Sequence, residues 1–325
     1  MRNDKDGPVW VLADDRTGNV AQCVGVAEAL GWPFELKDIR YDRLGSLPNL
    51  LRGATLLGVG GESRASLAPP WPRVVIAAGR RTAPVARWIK RKCGAFLAQI
   101  MDPGPGGRDE FDLIVIPNHD GELAPSPNLL RVTGAPHRVT AARLAAAVDE
   151  WRPKFEHLPR PWVGLSVGGT TRKRVFTPEM AADLGRRVAR LAAENGGAVL
   201  VTTSRRTGAA AEAALLDAIP EPRFVHRWGG PGANPYFGFL ACADILVVTG
   251  DSTSMACEAC AAPAPVFIYA PDGFVVPKHA RLHEELYGMG LARPLPDDGQ
   301  LGDRWDHPPI NAAGTIAEAI RERLA

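Results

Sequence analysis

Short apolar runs alternate with amphipathic stretches along the whole chain. The run Val9-Trp-Val-Leu-Ala13 is followed by an Ala- and Leu-rich stretch from Ala21 to Leu30, and then by a second run from Phe34 to Ile39. Continuous apolar runs are typical of strands buried on both faces of a parallel sheet, and the stretches between them have helical length. The pattern therefore predicts βαβ units.

The same alternation predicts the remaining elements. Further strands are expected at residues 73–78, 95–100, 113–116, 129–132, 162–167, 198–203, 223–226, 245–249 and 266–269. Helices are expected at residues 83–92, 140–151, 178–194, 209–216, 235–242, 252–260 and 311–324. Each half of the chain has the elements of a Rossmann-like unit, and two such units in tandem have a cleft between them.

A Pro-rich, charged stretch interrupts the alternation at residues 152–161, where the first domain has reached an ordinary size. It predicts an N-terminal domain over residues 1–152, a linker over 153–161 and a C-terminal domain over 162–325. The last helix is counted with the C-terminal domain, with a return to the N-terminal domain as the alternative. The predicted fold class is α/β, with two Rossmann-like domains facing a central cleft.

The composition of the chain limits the binding partners, the disulfide bonds and the location that can be expected. The formal net charge is +2, from 38 basic and 36 acidic residues, which is too balanced for a general nucleic-acid binder. The five cysteines are odd in number and lie in apolar segments, so disulfides are not expected. With no signal peptide or membrane-spanning run expected, the predicted location is the cytoplasm, either free or peripherally at a membrane surface.

Four predicted strands end in similar clusters, which combine Gly, Ser or Thr with Arg or Lys. These clusters lie at residues 14–19, 79–82, 168–174 and 204–207. Ligands of open parallel sheets bind beyond the carboxyl ends of the strands, where glycines expose N–H groups and arginines offer a bidentate fork. The clusters predict a phosphate-bearing ligand, with solvated basic loops as the alternative. The predicted contacts in the C-terminal half are Gly168, Gly169, Thr170, Ser204, Arg205 and Arg206.

The glycine spacing argues against two common nucleotide-binding sites. No G-x-G-x-x-G follows a predicted strand, so binding of NAD is not favoured. No G-x-x-x-x-G-K-[ST] is present, which sets aside P-loop phosphoryl transfer. A sugar nucleotide agrees better with the pattern.

The stretch Gly250 to Cys260 carries both a Cys-x-x-Cys and a cluster of hydroxyls. Cys257 and Cys260 lack further ligands for zinc, so they are interpreted as helix residues packed on the sheet. Asp251 and Ser252 are expected either to cap the following helix or, with Thr253 and Ser254, to hold a diphosphate. Glu258 lies on the same helical face as Ser254 and is suited to accept hydrogen bonds from ribose hydroxyls.

Several strings together resemble the mitochondrial fission ELM family of plant and bacterial proteins. They are residues 14–16 with the Gln22 helix, 77–84, 99–103, 117–120, 202–206, 232–236, 240–244, 248–258 and 278–279. The resemblance implies a GT-B-like fold, a glycosyltransferase-like activity and a donor site in the C-terminal domain with Glu258 on the ribose. Two loops depart from the expected pattern: residues 15–19 lack a histidine, and the loop from Gly168 differs in length.

Transfer of a sugar requires a base for the acceptor hydroxyl. His119 and Asp120 follow a predicted strand, and the unperturbed pKa of histidine side chains in general is ~6.5, so this pair is the preferred candidate, with Asp15 as another. A loop histidine that only donates a hydrogen bond is the alternative. Lys278 is a further donor-side candidate, and a solvent-exposed helix start is its alternative. No metal site is expected, because arginines and helix N-termini can stabilise the leaving diphosphate. No cofactor is expected either, since the nucleoside-diphosphate sugar is a co-substrate.

Three functions remain open from the sequence. The first is a metal-independent glycosyltransferase that uses a nucleotide sugar and a cell-envelope glycan or lipid acceptor. The second is a non-catalytic scaffold of the same shape that recruits a partner protein, as in organelle fission, or contacts a membrane peripherally. The third is a nucleotide-sugar epimerase, which would need several carboxylates for acid and base chemistry, and few are evident.

Overall fold

A computed structural model describes residues 7–300 and 305–325. The chain forms two compact units. Unit 1 comprises the residues up to Arg138 together with Asn311–Ala325, and unit 2 comprises Val139–Ile310. The predicted fold class is confirmed for each unit taken by itself, since each one is a parallel six-stranded sheet with alternating helices.

The sheet of unit 1 has the strand order β2-β1-β3-β4-β5-β6 and is parallel throughout. Its strands are β1 (Val9–Ala13), β2 (Phe34–Asp38), β3 (Val74–Ala78), β4 (Phe96–Ile100), β5 (Leu113–Pro117) and β6 (Leu129–Val132). Its helices are α1 (Thr17–Leu30), α2 (Asn49–Arg52), α3 (Gly61–Ser66), α4 (Gly79–Cys93) and, at the end of the chain, α11 (Ala312–Leu324). In the register of the sheet, Val9 pairs with Phe34 on one side and with Val74 on the other.

The four central strands of this sheet, β1, β3, β4 and β5, are buried on both faces, which explains why they are continuous apolar runs. Val11 and Ile76 pack against α1 and α11 on one face, where Ile316 is fully buried. Trp10 and Val75 belong to the cluster on the opposite face, which α4 covers. Burial on two faces leaves room for polar side chains only beyond the strand ends.

The sheet of unit 2 has the strand order β12-β11-β10-β7-β8-β9 and is also parallel. Its strands are β7 (Trp162–Ser166), β8 (Ala198–Thr202), β9 (Arg223–His226), β10 (Ile245–Thr249), β11 (Val266–Tyr269) and β12 (Arg293–Pro294). Its helices are α5 (Ala141–Phe155), α6 (Pro178–Glu194), α7 (Ala209–Asp217), α8 (Tyr236–Cys242), α9 (Thr253–Ala259) and α10 (Pro277–Gly288).

Helix α5 belongs to unit 2, so the boundary between the units differs from the one that the sequence predicted. Phe155 is fully buried, with its ring centroid 5.6 Å from that of Phe239 in α8 and 5.9 Å from that of Trp162 in β7. A side chain at Gly238 would overlap Trp151, so the glycine allows α5 to lie close to α8. The units therefore divide before α5, at residues 138 and 139, and residues 153–155 continue this helix instead of beginning a linker.

Helix α11 returns to unit 1, where it packs on α1. Its Ile316 and Ile320 are completely buried in the cluster that includes Val26 and Leu30 of α1. No helix of residues 7–300 and 305–325 is both long enough and apolar enough to cross a membrane.

Candidate functional site

The strand order of unit 2 reverses between β10 and β7, which lie side by side. In open parallel sheets this reversal opens a crevice at the carboxyl ends of the strands, and ligands bind there. The loops that follow β7, β8 and β10 meet at this edge. They contain most of the donor-site residues predicted from the sequence.

The Gly168–Gly169 loop after β7 is held by hydrogen bonds from within the unit. The Gly168 N–H donates to Thr249 Oγ1 (2.7 Å), and the Gly169 N–H donates to Asp251 Oδ2 (3.0 Å). A side chain at Gly168 would overlap the Asp251 carboxylate; at Gly169, where φ is +136°, it would overlap the carbonyl of Arg206. The glycines thus serve close packing of loops, and their N–H groups already have acceptors.

The loop after β8 closes over the same strand end. The carbonyl of Gly168 accepts hydrogen bonds from the hydroxyls of Ser204 (2.6 Å) and Thr207 (2.8 Å). The Thr170 N–H donates to the carbonyl of Arg206 (2.8 Å). In this structure Ser204 and Thr170 therefore hold the loops together, and their predicted contact with a phosphate stays a prediction.

Asp251 joins all three loops. Its side chain is fully buried, Arg206 Nη1 lies 2.6 Å from its Oδ2, and the same oxygen accepts the Gly169 N–H. Its Oδ1 has no hydrogen-bond partner among the residues described. A buried carboxylate is stable only when it is paired. The geometry therefore gives Asp251 and Arg206 a role in holding the loops together, and the ligand contacts that the sequence predicted for them stay a prediction.

The remaining predicted donor-site residues at this edge differ in whether their polar groups already have partners. The Arg205 side chain is exposed, and its neighbour in the chain, Arg206, is the one that binds Asp251. Ser252 caps α9 by accepting the Met255 N–H at 3.3 Å, as one of the two sequence interpretations expected. Within the described part of the chain, the N–H groups at positions 253 and 254 have no acceptor.

Glu258 is the best-defined polar group of the site. The Tyr236 hydroxyl donates to its Oε2 at 2.6 Å, whereas its Oε1 accepts no hydrogen bond from residues 7–300 or 305–325. Burial raises the pKa of Glu258, against the opposing effects of the Tyr236 hydrogen bond and the charge of Arg143. Burial and the neighbouring Glu258 carboxylate likewise raise the pKa of Tyr236 well above its ordinary value. The site thus holds a fixed carboxylate with one oxygen left to accept a hydroxyl group.

Sequence reasoning assigned no role to Tyr236 or Arg143. Tyr236 begins α8, in a string that carried the family resemblance, but its distance of 22 positions from Glu258 gave no sign of contact. Arg143 belongs to α5, which the sequence-based boundary placed in the other domain. An aromatic hydroxyl at a helix start was the available signal for Tyr236.

Lys278 and the two cysteines occupy neighbouring parts of unit 2. Lys278 is half-buried in the first turn of α10, which follows β11 at the same sheet edge. Cys257 and Cys260 are completely buried and not bonded to each other, and burial raises the pKa of Cys260. Among the described residues, no three His, Cys, Asp or Glu side chains form a cluster that could hold a metal ion.

Unit 1 holds the candidates for a catalytic base. Asp15 pairs with Arg81, whose hydrogen bond lowers the pKa of this exposed carboxylate. His119 is buried directly after β5, and its Nε2 lies 3.9 Å from Asp120 Oδ1. The structure therefore places His119 and Asp120 close together and gives Asp15 a cationic partner, which lowers the pKa of Asp15 and makes it less suited to act as a base.

Comparison with proteins of known structure shows the fold. UDP-GlcNAc 2-epimerase from Methanocaldococcus jannaschii superposes with a TM-score of 0.58, at 11% identity, over 97% of this chain and 99% of that chain. UDP-GlcNAc 2-epimerase from Neisseria meningitidis, solved with UDP-GlcNAc bound, gives 0.54 at 11% identity over 98% and 99%. The chain thus has a GT-B-like fold, and at these identities the likeness extends to the fold alone.

Comparison of sequences shows the family. Mitochondrial fission protein ELM1 of Arabidopsis thaliana is 28% identical over 295 residues, which cover 84% of this chain and 68% of that protein. An uncharacterized protein of Rickettsia prowazekii (strain Madrid E) is 25% identical over 97% of this chain and 98% of its own length. The model of the family described as Mitochondrial fission ELM1 matches residues 17–324. The resemblance found in the sequence is confirmed, and the chain belongs to the mitochondrial fission ELM1 family.

Proposed function

We propose that the chain is a metal-independent glycosyltransferase that uses a nucleoside-diphosphate sugar and transfers the sugar to a cell-envelope glycan or lipid. The observation that carries this proposal is the Glu258–Tyr236 pair, 2.6 Å apart at the edge where the strand order of unit 2 reverses. A ribose offers two adjacent hydroxyl donors, and a carboxylate with an open oxygen can accept from them. Glu258 is half-buried, and burial raises its pKa, so its charged form is a cost to folding that a ligand-binding role explains.

The diphosphate is assigned to hydrogen-bond donors and cations at the same sheet edge. Arg205 supplies a guanidinium, the N–H groups of Thr253 and Ser254 face no acceptor in the described fold, and Lys278 supplies an ammonium. Arginine and lysine stabilise the negative charge that develops on a leaving diphosphate, so the reaction proposed here needs no metal ion. The sugar nucleotide is a co-substrate and no other cofactor is proposed.

The proposed base is His119, with Asp120 as its neighbour. A general base must take the proton from the acceptor hydroxyl as the bond to the sugar carbon forms. An imidazole titrates close to neutral pH, whereas the pKa of Asp15 is lowered by Arg81. Asp120, 3.9 Å from His119 Nε2, is suited to stabilise the imidazolium that results.

The first experiment measures the unfolding temperature with UDP, GDP, ADP, CMP and their sugars. UDP compounds head the panel because structures with this fold were solved with UDP-GlcNAc. A ligand at 100 times its Kd stabilises the native state by about 2.7 kcal/mol, which corresponds to about 5–10 °C for a unit of this size. Glu258→Ala removes two charge-assisted hydrogen bonds, each contributing about 1.5–3 kcal/mol, so the shift should nearly disappear.

Glu194→Ala is the matched control, because this exposed glutamate lies at the end of α6 in the same unit. It should keep the full ligand response. If no nucleotide shifts the wild-type transition, the non-catalytic scaffold becomes the better explanation. That alternative draws on the Arabidopsis relative, whose name refers to mitochondrial fission.

Incubation with a bound nucleotide sugar then separates the remaining activities. A transferase releases the nucleoside diphosphate only when an acceptor is present, whereas an epimerase converts the sugar nucleotide into its epimer without one. Both products are resolved by chromatography. Formation of the epimer in the absence of acceptor would refute the transferase proposal while leaving the donor site intact.

A further inference from the structure

Unit 1 exposes leucines in one short segment. Leu44, Leu47, Leu50, Leu51 and Leu57 are between 38% and 73% exposed, and all lie between β2 and β3. Leu50 and Leu51, both in α2, are the most exposed at 73% each. We call these five residues the leucine ridge. Single exposed leucines are ordinary, but five of them in one short segment are a candidate interaction surface.

The ridge is held in place by a rigid base. Arg52 is 2% exposed, and its guanidinium donates to the carbonyls of Gly45 (3.3 Å) and Leu57 (3.1 Å). The Asn49 amide donates to the carbonyls of Arg80 (2.6 Å) and Pro103 (2.8 Å). Since the backbone is fixed by these bonds, folding itself turns the leucines outward instead of burying them.

A pocket of ≈ 540 Å³ opens beside Leu47 and Leu50 of the ridge. It is lined by Arg16, Arg80 and Arg81 together with Leu47 and Leu50. It lies where the strand order of unit 1 reverses, between β1 and β3, because Arg16 follows β1 and the other two arginines follow β3. This is the ligand position of an open parallel sheet.

The charge of the pocket is positive. No aspartate or glutamate lines it. Arg81 is neutralised by Asp15, but Arg16 and Arg80 are exposed and form no ion pair within the described part of the chain. Arginine binds phosphate oxygens through a bidentate fork. A cationic pocket beneath an apolar ridge complements a molecule that has an anionic head and an apolar tail.

We propose that this face of unit 1 docks on an anionic lipid bilayer, with a lipid phosphate in the arginine pocket and the leucine ridge in the acyl region. Apolar side chains inserted into the interface and cations on lipid headgroups are the two components of peripheral membrane binding. Charge complementarity favours a bilayer over a protein partner, because the arginines that line the pocket are not matched by any carboxylate in its lining. The docking surface stands apart from the proposed transferase activity; if both hold, the acceptor is presented by the membrane.

The test is sedimentation of the full chain with vesicles, without any nucleotide. Vesicles of phosphatidylcholine containing about one-third phosphatidylglycerol should bind the wild type, and pure phosphatidylcholine vesicles should bind it much more weakly. Leu50→Ser with Leu51→Ser should weaken binding by at least tenfold, since a fully inserted leucine contributes roughly a factor of ten or more. Arg16→Gln with Arg80→Gln should remove the preference for the anionic vesicles.

Matched controls come from the same chain. Leu36→Ser changes an exposed leucine of β2 outside the ridge, and Arg172→Gln with Arg174→Gln removes two exposed charges of unit 2. Both should bind vesicles like the wild type, and all variants should keep the wild-type unfolding temperature. Because no nucleotide is present, failure here is distinct from failure of the donor site.

Two outcomes would overturn the inference. One is a wild-type chain that stays in solution with anionic vesicles, and the other is unchanged binding by the Leu50 and Leu51 double variant. If the wild type fails to bind vesicles but self-associates in sedimentation equilibrium, and the leucine variant does not, then the ridge pairs with a second copy of this chain.

Discussion

The Asp251–Arg206 ion pair makes a quantitative prediction about stability. Asp251 is fully buried, whereas the side chain of Arg206 is 33% exposed. Arg206→Ala would leave a buried carboxylate without its cation, which costs about 3–5 kcal/mol of the free energy of unfolding. Asp251→Asn would keep an oxygen for the Gly169 N–H and leave a guanidinium that can reach water, so we expect a loss of only about 1–2 kcal/mol.

The assay is thermal unfolding of the unliganded protein. A change of 1 kcal/mol moves the transition of a unit of this size by about 2–4 °C, so Arg206→Ala should lower it by about 6–20 °C. The variant with both substitutions should be more stable than Arg206→Ala alone, because it no longer buries a charge. The expected coupling energy is about 1–3 kcal/mol.

Arg205→Ala provides the control at the adjacent position. Its side chain is exposed and forms no ion pair with Asp251, so its effect on stability should stay within about 0.5 kcal/mol. Under the proposed function it should instead weaken binding of nucleoside diphosphates. Equal destabilisation by Arg205→Ala and Arg206→Ala, or additive effects in the double variant, would refute the architectural role of the pair.

Two further predictions concern the same site. Because burial raises the pKa of Glu258 above the ordinary 4.5, the stability linked to its proton is present below that pH and is lost as pH rises through the folded-state pKa. In thermal melts, unliganded Glu258→Gln should therefore be at least as stable as the wild type at pH 8. The unfolding temperatures of the two proteins should converge toward pH 4.5. A variant that is less stable than the wild type at pH 8 would contradict this. Gly169→Ala should lower the unfolding temperature more than Gly208→Ala. Both glycines have positive φ, which alone costs a substituted residue about 1–2 kcal/mol, but of the two only Gly169 leaves no space for a side chain. Equal effects of the two substitutions would show that the loop can adjust.

The fold could be predicted from the sequence because the central strands of both sheets are buried on both faces. Runs such as Ile245–Thr249 and Val266–Tyr269 contain no position that must face water, so their limits are visible as changes in polarity. The position of the site followed from the same observation, since polar clusters begin where the runs end. The capping role of Ser252 was likewise one of the two interpretations drawn from its place between strand and helix.

The pairs of residues that contact each other within the candidate site could not be predicted from the sequence. Arg205 and Arg206 are equivalent in sequence, and only the fold shows which one meets Asp251, 45 positions later in the chain. The boundary between the units was similarly hidden, because the Pro-rich stretch has the composition of a linker while Trp151 and Phe155 dock α5 onto α8. Long-range contacts decide these points, and neither periodicity nor spacing encodes them.

Because α11 returns to unit 1, the two units are completed at different times during synthesis. Unit 2 is one continuous stretch of chain, so all of its strands and helices are available as soon as Ile310 has been made. Unit 1 is interrupted, and its core around Val26 and Leu30 stays uncovered until Ile316 and Ile320 arrive. The half that begins first is therefore completed last, and until then its apolar face is a surface that chaperones can recognise.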